Sequence, residues 1–150
     1  MKSGIIATNR KAYHNYFIID TCEAGIILKG SEVKSLREGK VNLRDSYISI
    51  RNYTATLFGV HISAYSHTGF SGHDPYRKRQ LLLTKKEMTR LSQKVSEKGL
   101  TLIPVKMYFK GSWAKIEIAL AKGKKTFDKR ESIKRKDMKR DLDRELRNKL

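Results

Sequence analysis

Three histidines recur every six residues in the middle of the chain, at His61, His67 and His73, and Asp74 follows the last of them. Imidazole and carboxylate groups are ligands for zinc. The chain's one cysteine, Cys22, is far from them in sequence, and the spacing is not that of a zinc finger. We therefore interpret these histidines as loop and surface residues and expect no metal site.

Carboxylates offer a second chemistry, the cleavage of RNA with bound magnesium. The candidates Glu23, Glu32 and Asp45 fall in different predicted elements, and no spacing groups them. The chain also lacks the G-x-S-x-G sequence of serine hydrolases and the Gly-rich loop of P-loop proteins. We expect no catalytic residue, no cofactor and no enzymatic activity. An RNA-processing enzyme that uses these three carboxylates is the alternative.

Positive charge is the strongest chemical signal. The chain has 33 Lys and Arg against 15 Asp and Glu, a net charge of +18 at pH 7. In "GKKTFDKR", basic residues flank Phe127 on both sides. Basic side chains follow a phosphate backbone and an aromatic ring stacks on a base, so this pattern suits RNA. A nucleic acid is the first expected partner, and an anionic membrane surface is the second.

The C-terminal 122–150 segment, the tail, carries only part of this charge. It holds 13 Lys and Arg and 6 Asp and Glu, which leaves a charge of +11 on the preceding residues. Its apolar residues form a helical stripe one residue wide: Ile133, Met138, Leu142, Leu146 and Leu150. Such a segment is predicted to be disordered when free and helical along a polyanionic groove. The alternative is a solvated surface helix packed weakly on the body.

Alternating residues predict two antiparallel hairpins. "SYISIRNY" and "TATLFGVHISAY" form the first, with its turn near Arg51–Tyr53; Thr56 and Phe58 are predicted to share a face with Val60 and Ile62. "LTLIPVKMYF" and "WAKIEIALA" form the second, where Pro104 is expected at an edge or a bulge. "QLLLT" is predicted to be a short buried strand.

"AYHNYFIID" is predicted to be a strand in which His14 and Tyr16 share one face. Close to Arg10 and Lys11, this pair is a candidate stacking platform for RNA. The alternative is a tyrosine half in the core.

Two helices are predicted from their end signals. "SEVKSLREGK" is expected to begin at a Ser31 cap, and "TKKEMTRLSQKVSEKG" at a Thr84 capping box. About six strands and a few short helices favour a mainly β fold. The prediction is an OB-fold-like antiparallel barrel over 1–121, followed by the basic tail over 122–150.

Several stretches, in this order, resemble the small protein B family, the SsrA-binding (tmRNA-binding) factors of bacterial trans-translation. They are "NRKAYHNYFI", "EAGIILKGSEVKSLREGKVNLRDSYI", "HDPYRKRQLLLTKKE", "KGLTLIPVKMYF" and "AKGKKTFDKRE". The resemblance runs from about Asn9 to the end of the tail, nearly the whole chain. A general nucleic-acid or lipid binder driven by charge alone is the remaining alternative.

The resemblance implies a barrel that binds the tRNA-like domain of tmRNA. It also implies a tail that enters the empty mRNA channel of a stalled ribosome and becomes helical there. EF-Tu with aminoacylated tmRNA is a further implied partner. No apolar stretch in the sequence is long enough for a membrane span or a secretory signal, so we expect a cytoplasmic protein with no membrane partner.

Carried over residue by residue, the resemblance implies RNA contacts at Asn9, His14, Tyr16, Glu23, Leu82 and Lys115. It implies ribosome contacts in the tail at Gly123, Lys124, Lys125, Asp128, Lys129, Arg130, Ile133 and Met138. The chain departs from the family pattern at Ala64, Gly72 and Gln80, in or beside the long loop 63–79. A carboxylate such as Glu23 can face RNA if it accepts hydrogen bonds from base amino groups or a 2′-OH, or if it holds a neighbouring arginine.

Overall fold

Nine strands and four helices occupy residues 4–64 and 73–148, the part of the chain that the computed structural model describes. The strands are β1 (Gly4–Thr8), β2 (Tyr16–Ile26), β3 (Val41–Asn42), β4 (Tyr47–Arg51), β5 (Thr54–Phe58), β6 (His61–Ile62), β7 (Arg79–Leu82), β8 (Thr101–Lys110) and β9 (Trp113–Gly123). The helices are α1 (Arg10–Asn15), α2 (Gly30–Arg37), α3 (Lys85–Lys98) and α4 (Thr126–Asn148). None of these helices is both long and apolar enough to cross a membrane.

The strands close into a barrel. Antiparallel pairing runs from β8 through β4, β5, β7, β2 and β9, and β9 pairs back with β8. β1 extends the sheet from β8, and β3 and β6 form a separate two-stranded sheet. β4 and β8 meet at one pair in the described residues, Ile48 with Leu102, so this seam is nearly open. The predicted mainly β fold, a small and partly open antiparallel barrel, is confirmed.

Both predicted hairpins are present. Asn52 and Tyr53 form the first turn with φ of 50° and 57°, which gives the strands the right-handed twist of a two-residue hairpin. One detail was wrong: Ala55 and Leu57 are buried in β5, and Thr56 and Phe58 lie on its outer face. Gly59 has a φ of 82°, and after this turn Val60 and Ile62 point into the core.

In the second hairpin, β8 and β9 pair almost throughout their lengths. The register shifts between Pro104 and Lys106, so Pro104 lies at a bulge, as predicted. β9 continues to Gly123, two residues beyond the predicted end of the barrel.

The prediction of a strand over "AYHNYFIID" was wrong in its first half. Residues Arg10–Asn15 form α1, and the strand begins only at Tyr16. The helix starts there because the Asn9 side chain accepts a hydrogen bond from the Ala12 N–H at 3.2 Å, which is the contact of an N-cap. His14 is therefore helical, and it does not share a strand face with Tyr16.

The other predicted helices are present, but the cap of α2 was assigned wrongly. The N-cap position of α2 is Lys29, and Ser31 lies inside the first turn. There the Glu32 carboxylate accepts a hydrogen bond from the Lys29 N–H at 2.8 Å. Thr84 caps α3 and Gly99 ends it with a φ of 61°, as predicted. β7 (Arg79–Leu82) includes the first three residues of "QLLLT", and Leu82 is exposed rather than buried because successive residues of a strand face opposite sides.

Apolar side chains fill the barrel, and a smaller cluster lies outside it. The interior cluster includes Leu36, Leu57, Met107, Ile116 and Ile118, each at most 1% exposed. The second cluster lies beneath α1 and consists of Ala12, Ile103, Val105, Ala119 and Ala121, with Tyr16 and Ile18 packed against it. Both faces of β8 and β9 are thus buried at the end that α1 covers.

An ion pair is buried at the edge of the barrel. Glu32 and Arg79 are both 0% exposed, and Arg79 Nε donates to Glu32 Oε2 at 2.6 Å. Arg79 also donates to the carbonyl oxygens of Val60 at 2.7 Å and Pro75 at 3.1 Å. Arg77 donates to the other carboxylate oxygen of Glu32. The pair joins α2, β7 and the segment before β7.

We predict that Glu32→Ala destabilises the fold by about 3–5 kcal/mol, since it leaves the Arg79 guanidinium buried without a counter-charge. Urea unfolding measures this loss. The matched control is Asp137→Ala on α4, which removes a carboxylate from the exposed pair with Arg140 and should cost no more than about 0.5 kcal/mol. Equal losses for the two variants would contradict a structural role for the buried pair.

The same pair predicts a pH dependence. Burial alone would raise the pKa of Glu32, but hydrogen bonds from Arg77, the Lys29 N–H and Arg79 outweigh it and lower the pKa below its ordinary value of 4.5. A lowered carboxyl pKa stabilises the fold above the unfolded-state pKa, and this contribution is lost as the pH falls through the folded-state pKa. The stability difference between the parent and Glu32→Gln should therefore be largest near neutral pH and shrink below about pH 4. Urea titrations at several pH values test this, and a constant difference would contradict it.

Candidate nucleic-acid interface

The side of β2, β9 and β8 that points away from the core is covered at one end and open at the other. In β9, Lys115, Glu117, Ala119 and Ala121 alternate with the buried core residues and so point outward. α1 covers the end with the two alanines, which are fully buried. At the other end, Lys115 and Glu117 are half-buried, and among the described contacts α1 does not reach them. We call this open end the outer face.

A row of residues crosses the outer face from strand to strand. Leu82 on β7 pairs with Gly25 on β2, Gly25 pairs with Lys115 on β9, and Lys115 pairs with Tyr108 on β8. Ile5 on β1 pairs with Tyr108 and is 66% exposed. At about 4.8 Å between strands, the row spans roughly 19 Å. Leu82 and Lys115, which are distant in sequence, are therefore near neighbours.

Gly25 lies between Leu82 and Lys115 in this row. A Cβ atom built on Gly25 would lie 3.3 Å from both Cβ and Cδ1 of Leu82, so the leucine occupies the space that a larger residue would fill. Leu82 remains 55% exposed, while Lys115 is half-buried rather than fully exposed. The middle of the row is thus a shallow apolar surface with a cation at its side.

Glu23 lies one outward-facing position from Gly25 on β2. The Tyr108 hydroxyl donates a hydrogen bond to Glu23 Oε2, and Lys110 Nζ lies 3.5 Å from Oε1. The hydrogen bond from Tyr108 is the main cause that lowers the pKa of Glu23, with support from Lys110 and Lys115. Burial and the bond to Glu23 raise the pKa of Tyr108. At neutral pH, Glu23 is therefore an ionised acceptor and Tyr108 a neutral donor.

Asn9 is not on this surface. It is 4% exposed, and its Nδ2 donates to the carbonyl oxygens of Leu43 at 3.1 Å and Pro104 at 2.9 Å. Its Oδ1 caps α1. These atoms are engaged inside the fold, and the expected contact of Asn9 with RNA stays a prediction. Asn9 holds α1 against the barrel.

His14 and Tyr16 lie at the covered end. His14 is exposed in the last turn of α1, whereas Tyr16 is half-buried against the cluster beneath that helix. The alternative of a tyrosine half in the core is therefore the correct one. The two side chains do not form a strand-based stacking platform, because they belong to different elements.

The base of the tail is fixed to the body through Lys124. Its backbone N–H donates to the Asn15 carbonyl at 2.8 Å, and its ammonium group donates to the Tyr13 carbonyl at 3.3 Å and to Ser132 Oγ at 2.9 Å. The ammonium also lies 5.0 Å from the centre of the Phe17 ring. Lys124 thus joins α1, β2 and α4 directly after β9 ends at Gly123.

Beyond this anchor the tail is one helix, α4. Its stripe is solvent-exposed: Ile133 is 47%, Met138 58%, Leu142 59% and Leu146 62% exposed. Arg130 is exposed and Lys129 half-buried, whereas the side chains of Phe127 and Asp128 and all of Leu150 lie outside the described part. A helix with an uncovered stripe is marginal in water. That the tail is disordered when free and folds on a partner stays a prediction.

The three histidines have separate surroundings. His73 is buried, and its ring bonds to Ser31 Oγ at 2.9 Å and to the Ile62 carbonyl at 2.8 Å. His61 makes an edge contact with the Tyr76 ring, and His67 lies outside the described residues. Within 4–64 and 73–148, no group of three or more potential ligands could hold a metal ion.

The three carboxylates are likewise held by different partners. Glu32 is buried with Arg79, Glu23 is bonded to Tyr108, and Asp45 pairs with Lys11 at 2.9 Å. Since Glu32 is fully buried in its ion pair, it is not available as a magnesium ligand on the surface.

Sequence reasoning missed Tyr108 and Gly25. Tyr108 could have been found, because a two-residue turn at Gly111 and Ser112 pairs Lys110 with Trp113 and therefore Tyr108 with Lys115. The contact of Tyr108 with Glu23 could not, because it depends on the pairing of β9 with β2, which are far apart in sequence.

Comparisons with known proteins agree with one another. The family model described as SmpB protein matches residues 6–148. A protein of Persephonella marina named SsrA-binding protein is 57% identical over 97% of this chain and 96% of its own length. One from a Sulfurihydrogenibium species, with the same name, is 52% identical over 100% and 99%.

A solved structure gives the same result. It is described as "tmRNA-SmpB: a journey to the center of the bacterial ribosome", and it matches with a TM-score of 0.69 and 46% identity. The match covers 81% of this chain and 85% of that one. From the family model and the near full-length relatives, the chain belongs to the SmpB family.

Proposed function

We propose that this chain is a non-catalytic RNA-binding factor of trans-translation. It binds the tRNA-like domain of tmRNA, delivers it to stalled ribosomes and places its tail in the empty mRNA channel. The observation that carries the proposal is the near full-length similarity to proteins named SsrA-binding protein. EF-Tu with aminoacylated tmRNA is a further proposed partner.

The outer face suits a folded RNA better than a bare phosphate backbone. Lys115 and Lys110 supply positive charge for phosphates, while the exposed Leu82 and Ile5 supply apolar contact area. Glu23 accepts hydrogen bonds, so it favours donors such as base amino groups or 2′-OH groups and disfavours phosphate. A surface that combines cations, apolar side chains and a carboxylate acceptor favours binding of one folded RNA over binding of polyanions in general.

The tail has the opposite character. Its charge is spread around α4, and its apolar stripe is exposed along the described length. This surface suits an RNA-lined channel, where lysine and arginine meet phosphate and the stripe meets whatever apolar wall the channel offers. The ribosome contacts expected at Lys124, Lys125, Asp128, Lys129 and Arg130 belong to this proposal, as do those at Ile133 and Met138.

Competition binding tests the proposal against charge alone. Raising the salt from roughly 50 to 200 mM should weaken binding by a few orders of magnitude, because counterions are released from several phosphates. The preference for the tRNA-like domain over bulk tRNA should persist at the higher salt. If both RNAs weaken to equal affinity, charge alone explains the binding. Magnesium-dependent cleavage of labelled RNA in the same samples would contradict a non-catalytic role.

We predict that Lys115→Ala weakens binding to the tRNA-like domain by about tenfold, the effect of losing one charge-assisted hydrogen bond. The slope of log K against log salt concentration should become shallower by the equivalent of about one phosphate contact. The melting temperature should hardly change, because Lys115 lies outside the core. Filter binding across a salt series measures both quantities.

The matched control is Lys98→Ala, which removes the same charge at the exposed C-terminal end of α3, about 20 Å along that helix from its start near Leu82. Its affinity should stay close to that of the parent. Similar losses for the two variants would mean that net charge matters and the position of Lys115 does not.

We also predict that replacing Ile133 and Met138 by proline leaves tmRNA binding unchanged but sharply reduces tagging of stalled chains. Each interior proline costs a helix about 3 kcal/mol while every Lys and Arg is retained. Replacing the same residues by alanine is the control, since it keeps the helix and removes part of the stripe. Tagging at the parental level by the proline variant would show that the tail works as a flexible polycation.

A further inference from the structure

Tyr108 and Glu23 form a hydrogen bond that spans a strand. Tyr108 is on β8 and Glu23 is on β2, and β9 lies between them in the sheet. Two strand spacings separate these backbones, roughly 10 Å. The tyrosine side chain therefore reaches across β9, where its own pairing partner is Lys115, to donate to Glu23 Oε2.

The bond leaves the two carboxylate oxygens of Glu23 in different situations. Oε2 is held by Tyr108, whereas Oε1 has Lys110 Nζ at 3.5 Å, beyond an ordinary charge-assisted hydrogen bond. The Glu23 side chain is 37% exposed. An accessible acceptor in a fixed orientation thus stands near Lys110 and Lys115, with the carboxylate of its pairing partner Glu117 on the same side of the sheet.

We propose that Tyr108 is a positioning and specificity-determining residue of the RNA interface. Its hydroxyl holds Glu23 so that the outward carboxylate oxygen accepts a hydrogen bond from a donor on the RNA, an exocyclic amino group or a ribose 2′-OH. The inference rests on the proposed function and assigns a role to a residue that does not itself have to touch RNA.

Chemistry explains why such a residue is needed. A carboxylate repels phosphates, so Glu23 helps binding only if it meets a hydrogen-bond donor in the correct place. Lys110 already lies 3.5 Å from Oε1, so without Tyr108 it would be left to orient the carboxylate, and ordering the side chain would cost entropy at the moment of binding. A neutral donor on the other oxygen orients the carboxylate and leaves its charge intact.

The first test is Tyr108→Phe in the full chain, which removes only the hydroxyl. Affinity for a transcript of the tRNA-like domain should fall by about tenfold. Affinity for bulk tRNA should stay unchanged, because the variant has the same charge. Tyr53→Phe is the matched control: it removes a hydroxyl from an exposed ring in the β4–β5 turn and should change neither affinity. An unchanged affinity of Tyr108→Phe for the tRNA-like domain would overturn the inference.

The decisive test is a double-mutant cycle with Glu23→Ala. If Tyr108 acts through Glu23, removing the hydroxyl should cost about tenfold in the parent and almost nothing in Glu23→Ala. A purely structural role of Tyr108 would give the same loss in both backgrounds, and that result would overturn the inference. Working at low salt keeps all four variants within measurable range.

The cycle also separates this inference from the proposed function. If the parent protein shows no preference for the tRNA-like domain, the proposed function itself fails. If the parent shows the preference and the cycle shows no coupling, the proposed function stands and only the role of Tyr108 is wrong.

Discussion

The pairing of β9 with β2 on one side and β8 on the other is the interaction on which the rest of the structure depends. It closes the barrel, and it sends Ile116, Ile118 and Leu120 into the core. The alternate residues of the same strand must then face outward. At one end they are alanines, which let α1 pack closely, and at the other they are Lys115 and Glu117. One strand thus sets both the stability of the barrel and the position of its outer face.

The same strand leads directly into the tail. β9 ends at Gly123, and Lys124 binds the end of α1, the Phe17 ring and the first turns of α4. Asn9 fixes the other end of α1 against β8 through the Pro104 carbonyl. Asn9 and Lys124 therefore fix the two ends of α1. The same helix is thus joined both to the barrel, which is proposed to bind tmRNA, and to the base of the tail, which is proposed to enter the mRNA channel. The base of the tail is therefore tied to α1 and β2, beside the barrel that carries the outer face.

Much of the fold could be predicted from the sequence, because hairpins and capped helices are local. The turns at Asn52 and Gly111 and the caps of α3 follow from neighbouring residues. The errors have non-local causes. α1 replaced a predicted strand because Asn9 caps it while binding Leu43 and Pro104, which are distant in sequence. Lys115 and Leu82 were expected at the interface through family resemblance, but their adjacency across Gly25 depends on barrel closure. Glu32 was weighed as a metal ligand because sequence does not reveal that Arg79 pairs with it.

The RNA that co-purifies with the protein from its native cells tests the central claim most directly. Gentle purification at moderate salt, followed by sequencing of the bound RNA, compares specific recognition with general attraction to a chain of charge +18. The account predicts one dominant species, tmRNA, in roughly equal amount to the protein. A broad mixture of cellular RNAs in proportion to their abundance would contradict it.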